Sequence, residues 1–343
     1  MLKKKKKEKI NKEEIIQLHL NEKTNFTNTN LAEACDKYSH DSIRRFYLSK
    51  KYTTEDLLNS MKSKMNIVKG GVIAFDDTML EKKNTKAMEL VYHQYSGLAK
   101  DIVSGINVIS GCYVNPVTEE AFFISFDVYD RKNDSLTKID HVCNQLLICI
   151  NDKDLQFNAI VIDSYYSTHK ILNLIHKNQK YYYTKLKKNR IINIKRDEKW
   201  EKYSLKDLIL TKEEIKFGAI IRLNNLDQDH LVKLFSTGEK DLATGHIITN
   251  NIYQNSAIEV QKEYSYRWKT ETLYHDSKQY AGLGRCEARK SIIQKNSIFF
   301  SLFTVNYMRK IAYENNITLP QLKKQIYAKF MKEQFANPMF KIE

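Results

Sequence analysis

Acidic residues follow two of the most apolar runs in this chain, and carboxylates placed in this way can bind metal ions. Residues 70–75 are followed by Asp76 and Asp77, and residues 157–162 are followed by Asp163. Apolar, β-branched runs of this length predict buried strands. Each acid would then lie at the carboxyl end of its strand, where acids from separate strands converge only through the tertiary fold. Convergence would give hard oxygen ligands suited to Mg²⁺ or Mn²⁺, whereas a single acid at a strand end is often a turn cap.

A polar stripe on a predicted helix late in the chain supplies a further acid. At about 100° per residue, the side chains of the stripe fall within roughly 60° of one another. They are Tyr264, Arg267, Glu271 and Lys278. From spacing alone, the simpler interpretation is a solvated helix face with an Arg267–Glu271 pair that contributes about 0.2–0.5 kcal/mol.

The stripe also resembles a known motif. The pattern of Tyr, two residues, Arg, three residues, Glu, six residues and Lys is similar to the signature helix of bacterial insertion-sequence transposases of the DDE class. The resemblance implies that Asp77, Asp163 and Glu271 are the catalytic, metal-binding acids. It also implies that the arginine, lysine and tyrosine of the stripe hold DNA phosphates near the cleaved transposon end.

The choice between the adjacent acids Asp76 and Asp77 depends on the resemblance. Neighbouring side chains on a strand point to opposite faces, so if the strand continues through both acids, they cannot both face the same metal ions. Residues 72–75 are apolar on both faces, as expected for a central strand, and alternation therefore does not select one acid. In the family the first acid precedes a threonine, and this pairing favours Asp77, which Thr78 follows.

The chemistry implied by these acids is metal-dependent phosphoryl transfer on DNA. Two Mg²⁺ ions about 3.5–4 Å apart, for which Mn²⁺ can substitute, would activate a water or a 3′-hydroxyl and stabilise the leaving oxygen. The resemblance implies double-stranded DNA as the partner, both as terminal repeats and as target. It also implies a homodimer in the synaptic complex.

The order of the predicted elements indicates an α/β fold of the ribonuclease-H-like type, with a mixed sheet flanked by helices. Three strands, a helix, a strand, a helix and a strand precede the signature helix. They are predicted at 70–75, 106–113, 121–126, 135–150, 157–162, 167–176 and 180–184.

The segment between the fifth strand and the signature helix predicts an inserted β-rich subdomain. Strand-like runs occur there, and a basic run includes Lys187, Lys188 and Arg190, which we expect to bind DNA. In the resembled family an insertion at this place helps to clamp the transposon end. Trp200 and Phe235 are therefore candidates for stacking on an unpaired base, with core packing as the alternative for both.

The first 66 residues predict a basic arm and a helical DNA-binding region. The run of lysines at 3–7 suits either phosphate contacts or a solvated tail. Ser39 or Asp41, and Thr53, are predicted helix N-caps. Arg44 and Arg45 suit DNA-end recognition, although a plain helical packing module accounts for the same pattern.

Composition favours a nucleic-acid partner over a membrane. The chain has 56 Lys and Arg against 41 Asp and Glu, a net charge of +15, which points to a polyanionic partner. The five cysteines include no C-x-x-C pair, so neither a zinc site nor a disulfide framework is indicated and buried thiols are expected. The apolar run 297–305 is too short to span a bilayer. We expect a soluble, cytoplasmic, nucleoid-associated bacterial protein.

The sequence thus predicts a DNA transposase that binds terminal repeats and cuts and rejoins DNA. A transposase-derived DNA-binding protein without catalytic activity and a ribonuclease-H-like nuclease are the alternatives. The predicted domains are an N-terminal region at 1–66, a catalytic domain at 67–186 and 251–313, the insertion at 187–250 and a tail at 314–343.

Overall fold

The central strand of the fold is built from the apolar run that precedes Asp76. The computed structural model describes residues 9–21, 25, 27–35, 37–82, 88–96, 100–237 and 245–336. The lysine run at 3–7 lies outside these residues. The strands are β1 (Val72–Glu81), β2 (Tyr92–Ser96), β3 (Asp101–Val114), β4 (Ala121–Tyr129), β5 (Ala159–Ile162), β6 (Tyr181–Lys185), β7 (Ile191–Arg196), β8 (Lys199–Ser204), β9 (Ala219–Leu223), β10 (Val232–Ser236) and β11 (His246–Thr249).

Helices precede, separate and follow these strands. They are α1 (Lys12–Asn21), α2 (Asn28–Cys35), α3 (His40–Ser49), α4 (Thr54–Lys62), α5 (Lys138–Asn151), α6 (His169–Lys177), α7 (Lys212–Phe217), α8 (Ala257–Ser265), α9 (Arg267–Tyr280), α10 (Ser291–Glu314) and α11 (Leu319–Ala336). Ser39 and Thr53 cap α3 and α4 with their side chains, which confirms these two predicted caps.

A single mixed sheet contains all of these strands. Its first part has the order β4-β3-β1-β5-β6, in which β1 is antiparallel to β3 and parallel to β5. Helices α4 and α5 pack on β4, and α6 packs on β6. A mixed sheet flanked by helices confirms the predicted fold class.

The inserted segment continues this sheet. Strand β11 pairs antiparallel with β6, and β10, β9, β7 and β8 follow in order. The insertion is therefore β-rich, as predicted, and shares the central sheet.

Strand β1 is longer than predicted, which changes the setting of the acids. On one side β3 pairs with β1 along its whole length, from Val72 to Glu81. On the other side β5 pairs with it only from Val72 to Phe75. Asp76 and Asp77 consequently lie within β1, not at its end, because the antiparallel partner carries the strand past them.

The described residues form two compact units. The larger unit comprises residues 53–83 and 90–272 and contains the sheet. The smaller unit takes residues from 1–52, 84–89 and 273–343, so the predicted N-terminal region and the predicted tail contribute to one unit. The domain boundaries inferred from the sequence stay a prediction.

The smaller unit is organised around α10, which packs against α1, α3 and α11. Asn296 on α10 is fully buried, and its amide nitrogen donates to the carbonyl oxygens of Tyr47 and Lys50, both at 2.6 Å. Its amide oxygen accepts from the Tyr52 backbone N–H at 3.1 Å. This side chain therefore pairs carbonyl groups that the end of α3 leaves without helical partners.

The structure also bears on the expectations about cysteine thiols and membrane-spanning helices. Cys112, Cys143, Cys149 and Cys286 are buried thiols, as expected. Within the described ranges, no helix is both long and apolar enough to cross a bilayer.

Candidate active site

The register of two parallel strands brings Asp76 and Asp163 together. Phe75 of β1 lies beside Ile162 of β5, so the next residue of each segment emerges at the same level. Residues at the same level of a parallel pair point to the same face of the sheet. Asp76 and Asp163 are therefore neighbours on one face.

The pKa of Asp76 reflects its partly buried position near other acids. Burial raises the pKa of Asp76 to about 7, and the negative charges of Asp77 and Asp163 act in the same direction. The Asp77 backbone N–H and the Arg267 guanidinium oppose the rise. The carboxyl group thus lies where additional positive charge would stabilise its ionised form.

Arg267 connects Asp76 to Glu271. Its Nη1 donates to Asp76 Oδ2 at 3.0 Å and to Glu271 Oε1 at 2.5 Å, so the two carboxylates share one donor nitrogen. The Arg267 side chain is only 13% exposed, which limits screening of these ion pairs by water. Arg267 is consequently shared by Asp76 and Glu271, and Asp163 follows β5 beside Asp76.

A buried threonine fixes the first turn of α9 against the sheet. Thr270 is fully buried, and its hydroxyl donates to the Ala74 carbonyl oxygen at 3.4 Å. The same hydroxyl lies 3.0 Å from the Cys112 thiol on β3. These contacts hold the helix over β1 and β3 and so position Arg267 and Glu271.

Asp77 belongs to a different set of contacts. Its carboxylate accepts from Lys138 Nζ at 2.9 Å, from Asn107 Nδ2 at 2.6 Å and from the Tyr166 hydroxyl at 2.7 Å. Asn107 lies two residues from Ile109, the β3 partner of Asp77, and therefore shares the face of Asp77. The charge of Asp77 is balanced within this network.

The geometry favours a different first acid from the one that the sequence predicted. The Asp-Thr pairing selected Asp77, whereas the strand register and Arg267 associate Asp76 with Asp163 and Glu271. A sequence signal for this arrangement existed, because each acid directly follows the last residue of its apolar run. Alignment of the two runs by their ends places Asp76 beside Asp163.

The other predicted site residues are distributed over several elements. Tyr264 lies on α8, which meets α9 at Tyr266, so the stripe predicted on one helix spans two helical segments. Tyr264 is buried, with Lys185 and Arg267 near its ring. Lys278 lies in the last turn of α9. Arg44 and Arg45 on α3, and Lys187, Lys188 and Arg190 before β7, are exposed.

The two aromatic candidates for base stacking differ in accessibility. Phe235 is fully buried in the insertion, in agreement with the core-packing alternative. Trp200 is partly exposed, and the Arg222 guanidinium lies over its ring, 4.3 Å from the centroid.

Comparison with known proteins identifies the family of this chain. Residues 69–307 match the family model described as the transposase DDE domain. The chain belongs to the DDE transposase family. The resemblance noted at the signature helix is thereby confirmed, and the match includes β1, β5, α9 and the whole insertion.

Two solved structures align with this chain at low sequence identity. The piggyBac transposase synaptic complex with hairpin DNA, a cryo-EM structure, aligns with this DDE transposase at a TM-score of 0.50 and 9% identity. The alignment covers 95% of this chain and 72% of that one. Endonuclease V from Bacillus subtilis aligns at a TM-score of 0.27 and 10% identity over 67% of this chain and 82% of that one. A search of curated proteins finds no match.

Proposed function

We propose that this DDE transposase binds the terminal repeats of its element and catalyses metal-dependent DNA strand cleavage and strand transfer. In the proposal, Asp76, Asp163 and Glu271 are the catalytic acids. The observation that carries this assignment is the shared Arg267 nitrogen between Asp76 and Glu271, together with the register that places Asp163 beside Asp76.

The donor set of these acids fits a divalent cation. Among the described residues, no three His, Cys, Asp or Glu side chains are close enough to hold an ion, and the Arg267 guanidinium contacts two of the acids. Carboxylate oxygens are nevertheless the ligands that Mg²⁺ prefers, and burial raises the pKa of Asp76, whose ionised form a bound cation would stabilise. DDE transposases generally use divalent metals. Asp76, Asp163 and Glu271 would hold Mg²⁺ or Mn²⁺.

The chemistry can be divided between the ions and the protein. Bound divalent ions would activate the attacking oxygen and stabilise the leaving oxygen of an in-line phosphoryl transfer. Arg267 holds Asp76 and Glu271 in fixed orientations, and Thr270 fixes the helix that carries Arg267. Such prior positioning lowers the cost of assembling the reacting groups.

DNA is the proposed partner. The net charge of +15 supports a polyanionic ligand. The fold is similar to that of piggyBac transposase, which was solved with hairpin DNA, and this likeness supports DNA as the ligand. Arg44, Arg45, Lys187, Lys188 and Arg190 are proposed phosphate contacts in addition to the tyrosine, arginine and lysine of the stripe. Two copies of the chain would hold two DNA ends in the synaptic complex.

The substitution Glu271→Gln tests this proposal. The variant should bind end DNA with unchanged affinity, because phosphate contacts dominate affinity, and should lose cleavage, because an acid is missing. Binding is measured by fluorescence anisotropy and cleavage on a sequencing gel. Cleavage at the wild-type rate would exclude Glu271 from catalysis.

A further inference from the structure

The acid Asp163 lies just beyond the part of β5 that the sheet holds. Ile162, the last residue of β5, lies beside Phe75 of β1 on one side and beside Thr184 of β6 on the other. Both ladders end at Ile162. Strand register therefore sets the level of Asp163, and the contacts of the following turn set its orientation.

The turn after Asp163 contacts both the backbone and the carboxylate of this acid. The Tyr166 N–H donates to the Asp163 carbonyl oxygen at 3.0 Å, which closes a four-residue turn. The Thr184 hydroxyl lies 3.5 Å from the same carbonyl oxygen. The Tyr165 N–H lies 3.5 Å from Asp163 Oδ2. The placement of the turn consequently decides where the carboxylate points.

The side chain of Tyr166 attaches this turn to β1. It is fully buried, and its hydroxyl donates to Asp77 Oδ1 at 2.7 Å. Asp77 lies on β1 beyond Phe75, the last residue there that pairs with β5, so this contact connects the two segments where their ladder has ended. A hydrogen bond to a carboxylate is stronger than one between neutral groups. The turn is thereby fixed to the strand that also carries Asp76.

The anchor Asp77 is itself held by other elements. Lys138 Nζ on α5 and Asn107 Nδ2 on β3 donate to Asp77 Oδ2 at 2.9 Å and 2.6 Å, whereas the Tyr166 hydroxyl uses Oδ1. Lys138 Nζ also lies 5.8 Å from the centroid of the Tyr165 ring. That ring packs edge-on against the Tyr166 ring, with the centroids 5.0 Å apart. The position of Tyr166 is therefore determined by β1, β3 and α5 together.

We propose that Tyr166 is a positioning residue for Asp163 and that Asp77 is its anchor. The inference rests on the proposed function, because it explains how one of the proposed catalytic acids is oriented. Asp77 points to the opposite face of β1 from Asp76 and acts on the site through the Tyr166 hydroxyl. Loss of a group that orients a metal ligand typically lowers metal affinity or activity about 10- to 100-fold.

The substitution Tyr166→Phe tests the inference, because it keeps the buried ring and removes only the hydroxyl. Single-turnover cleavage of pre-nicked end DNA in Mg²⁺ should slow about 10- to 100-fold. The Kd for end DNA should not change, because phosphate contacts dominate affinity. Affinity for Mn²⁺ without DNA, measured from the electron paramagnetic resonance signal of the free ion, should fall about tenfold. A hydroxyl with a purely structural role would lower the melting temperature without changing Mn²⁺ affinity.

Tyr182→Phe is the matched control. Tyr182 is also fully buried, and its hydroxyl lies 3.1 Å from His230 Nε2, so this variant loses one buried hydrogen bond outside the Asp163 turn. It should lower the melting temperature while keeping wild-type cleavage and Mn²⁺ affinity. Equal losses of cleavage in the two variants would show a general effect of destabilisation and would contradict the inference. Wild-type cleavage and Mn²⁺ affinity in folded Tyr166→Phe would overturn it as well.

Variants of Asp77 test whether this residue is the anchor. An asparagine amide can accept from or donate to the Tyr166 hydroxyl, whereas alanine offers it no partner. Only Asp77→Ala should therefore share the cleavage defect of Tyr166→Phe, measured below the melting temperature of each variant. Combining Asp77→Ala with Tyr166→Phe should add little further loss, because both substitutions break the same contact. Fully multiplicative losses in the double variant would show that the two residues act separately and would refute the inference.

Failure of this inference is distinguishable from failure of the proposed function. A wild-type protein that does not cleave contradicts the proposed function, and the comparison of Mn²⁺ affinities still tests Tyr166. Wild-type cleavage that Tyr166→Phe leaves unchanged contradicts the role of Tyr166 alone.

Discussion

Exchange of the adjacent acids Asp76 and Asp77 for asparagine should separate catalysis from stability. Asp76→Asn should abolish cleavage without lowering the melting temperature. Burial raises the pKa of Asp76 to about 7, so at higher pH its ionised carboxyl destabilises the fold, and asparagine removes that charge. Arg267 keeps its contact with Glu271 in this variant.

Asp77→Asn should have the opposite effect. Asp77 accepts hydrogen bonds from Lys138, Asn107 and Tyr166, and its side chain and that of Lys138 are 23% and 17% exposed. Asparagine has one acceptor oxygen and no charge, and hydrogen bonds to charged groups contribute about 1.5–3 kcal/mol each. We expect a loss of about 2–3 kcal/mol, or about 4–12 °C in melting temperature, with cleavage retained below that temperature.

The assay pairs differential scanning fluorimetry with single-turnover cleavage of pre-nicked end DNA in Mg²⁺. Pre-nicked DNA isolates the metal-dependent step from earlier steps. Folded Asp77→Asn without cleavage, together with active Asp76→Asn, would refute the structural reasoning and support the Asp-Thr pairing.

Three further predictions concern other parts of the molecule. Burial lowers the pKa of His19 to about 4, so the unfolded chain takes up a proton below pH 6.5 while the folded chain does not. As the pH is lowered from 6.5 to about 4, the free energy of unfolding should therefore fall by up to about 1.4 kcal/mol per pH unit. The substitution His19→Gln should remove this pH dependence in denaturant titrations. Gly111→Ala should destabilise by about 1–3 kcal/mol in urea titrations, because overpacking strains a core. Its Cβ would lie 2.6 Å from Ser125 Oγ and 2.8 Å from the Phe75 ring. In Gly70→Ala the added Cβ meets, among the described residues, only Pro116 at 4.0 Å, so this variant should be neutral. Lys278→Ala should lower the magnitude of the salt slope of DNA binding by about 0.9, and an unchanged slope would remove it from the phosphate contacts.

The part of the fold that the sequence predicts is the part in which local pattern and tertiary environment agree. Residues 72–75 of β1 and all of β5 are buried on both faces and form continuous apolar runs. Strand β7 was not predicted because only Ile192 and Ile194 face the core, and charged residues around them conceal the alternation. The extension of β1 was missed because it depends on pairing with β3.

Long-range contacts could not be predicted from local pattern. The smaller unit joins α1 and α3 to α10 across most of the chain, through contacts such as those of Asn296 with Tyr47 and Lys50. The resemblance named Asp163 and Glu271 as candidate acids, but the relation of Asp76 to them depends on strand register and on Arg267. The spacing of the acids in the sequence predicts neither the strand register nor the contacts of Arg267.

The most direct test of the central claim is incubation of the protein with DNA that carries the repeats flanking its own gene, with and without Mg²⁺. Strand ends are mapped on a sequencing gel, with Asp76→Asn as the matched control. We predict nicks at the repeat boundary that require both Mg²⁺ and Asp76. Repeat binding by the wild-type protein without any cleavage in Mg²⁺ would contradict the proposed function and would indicate a DNA-binding protein without catalytic activity.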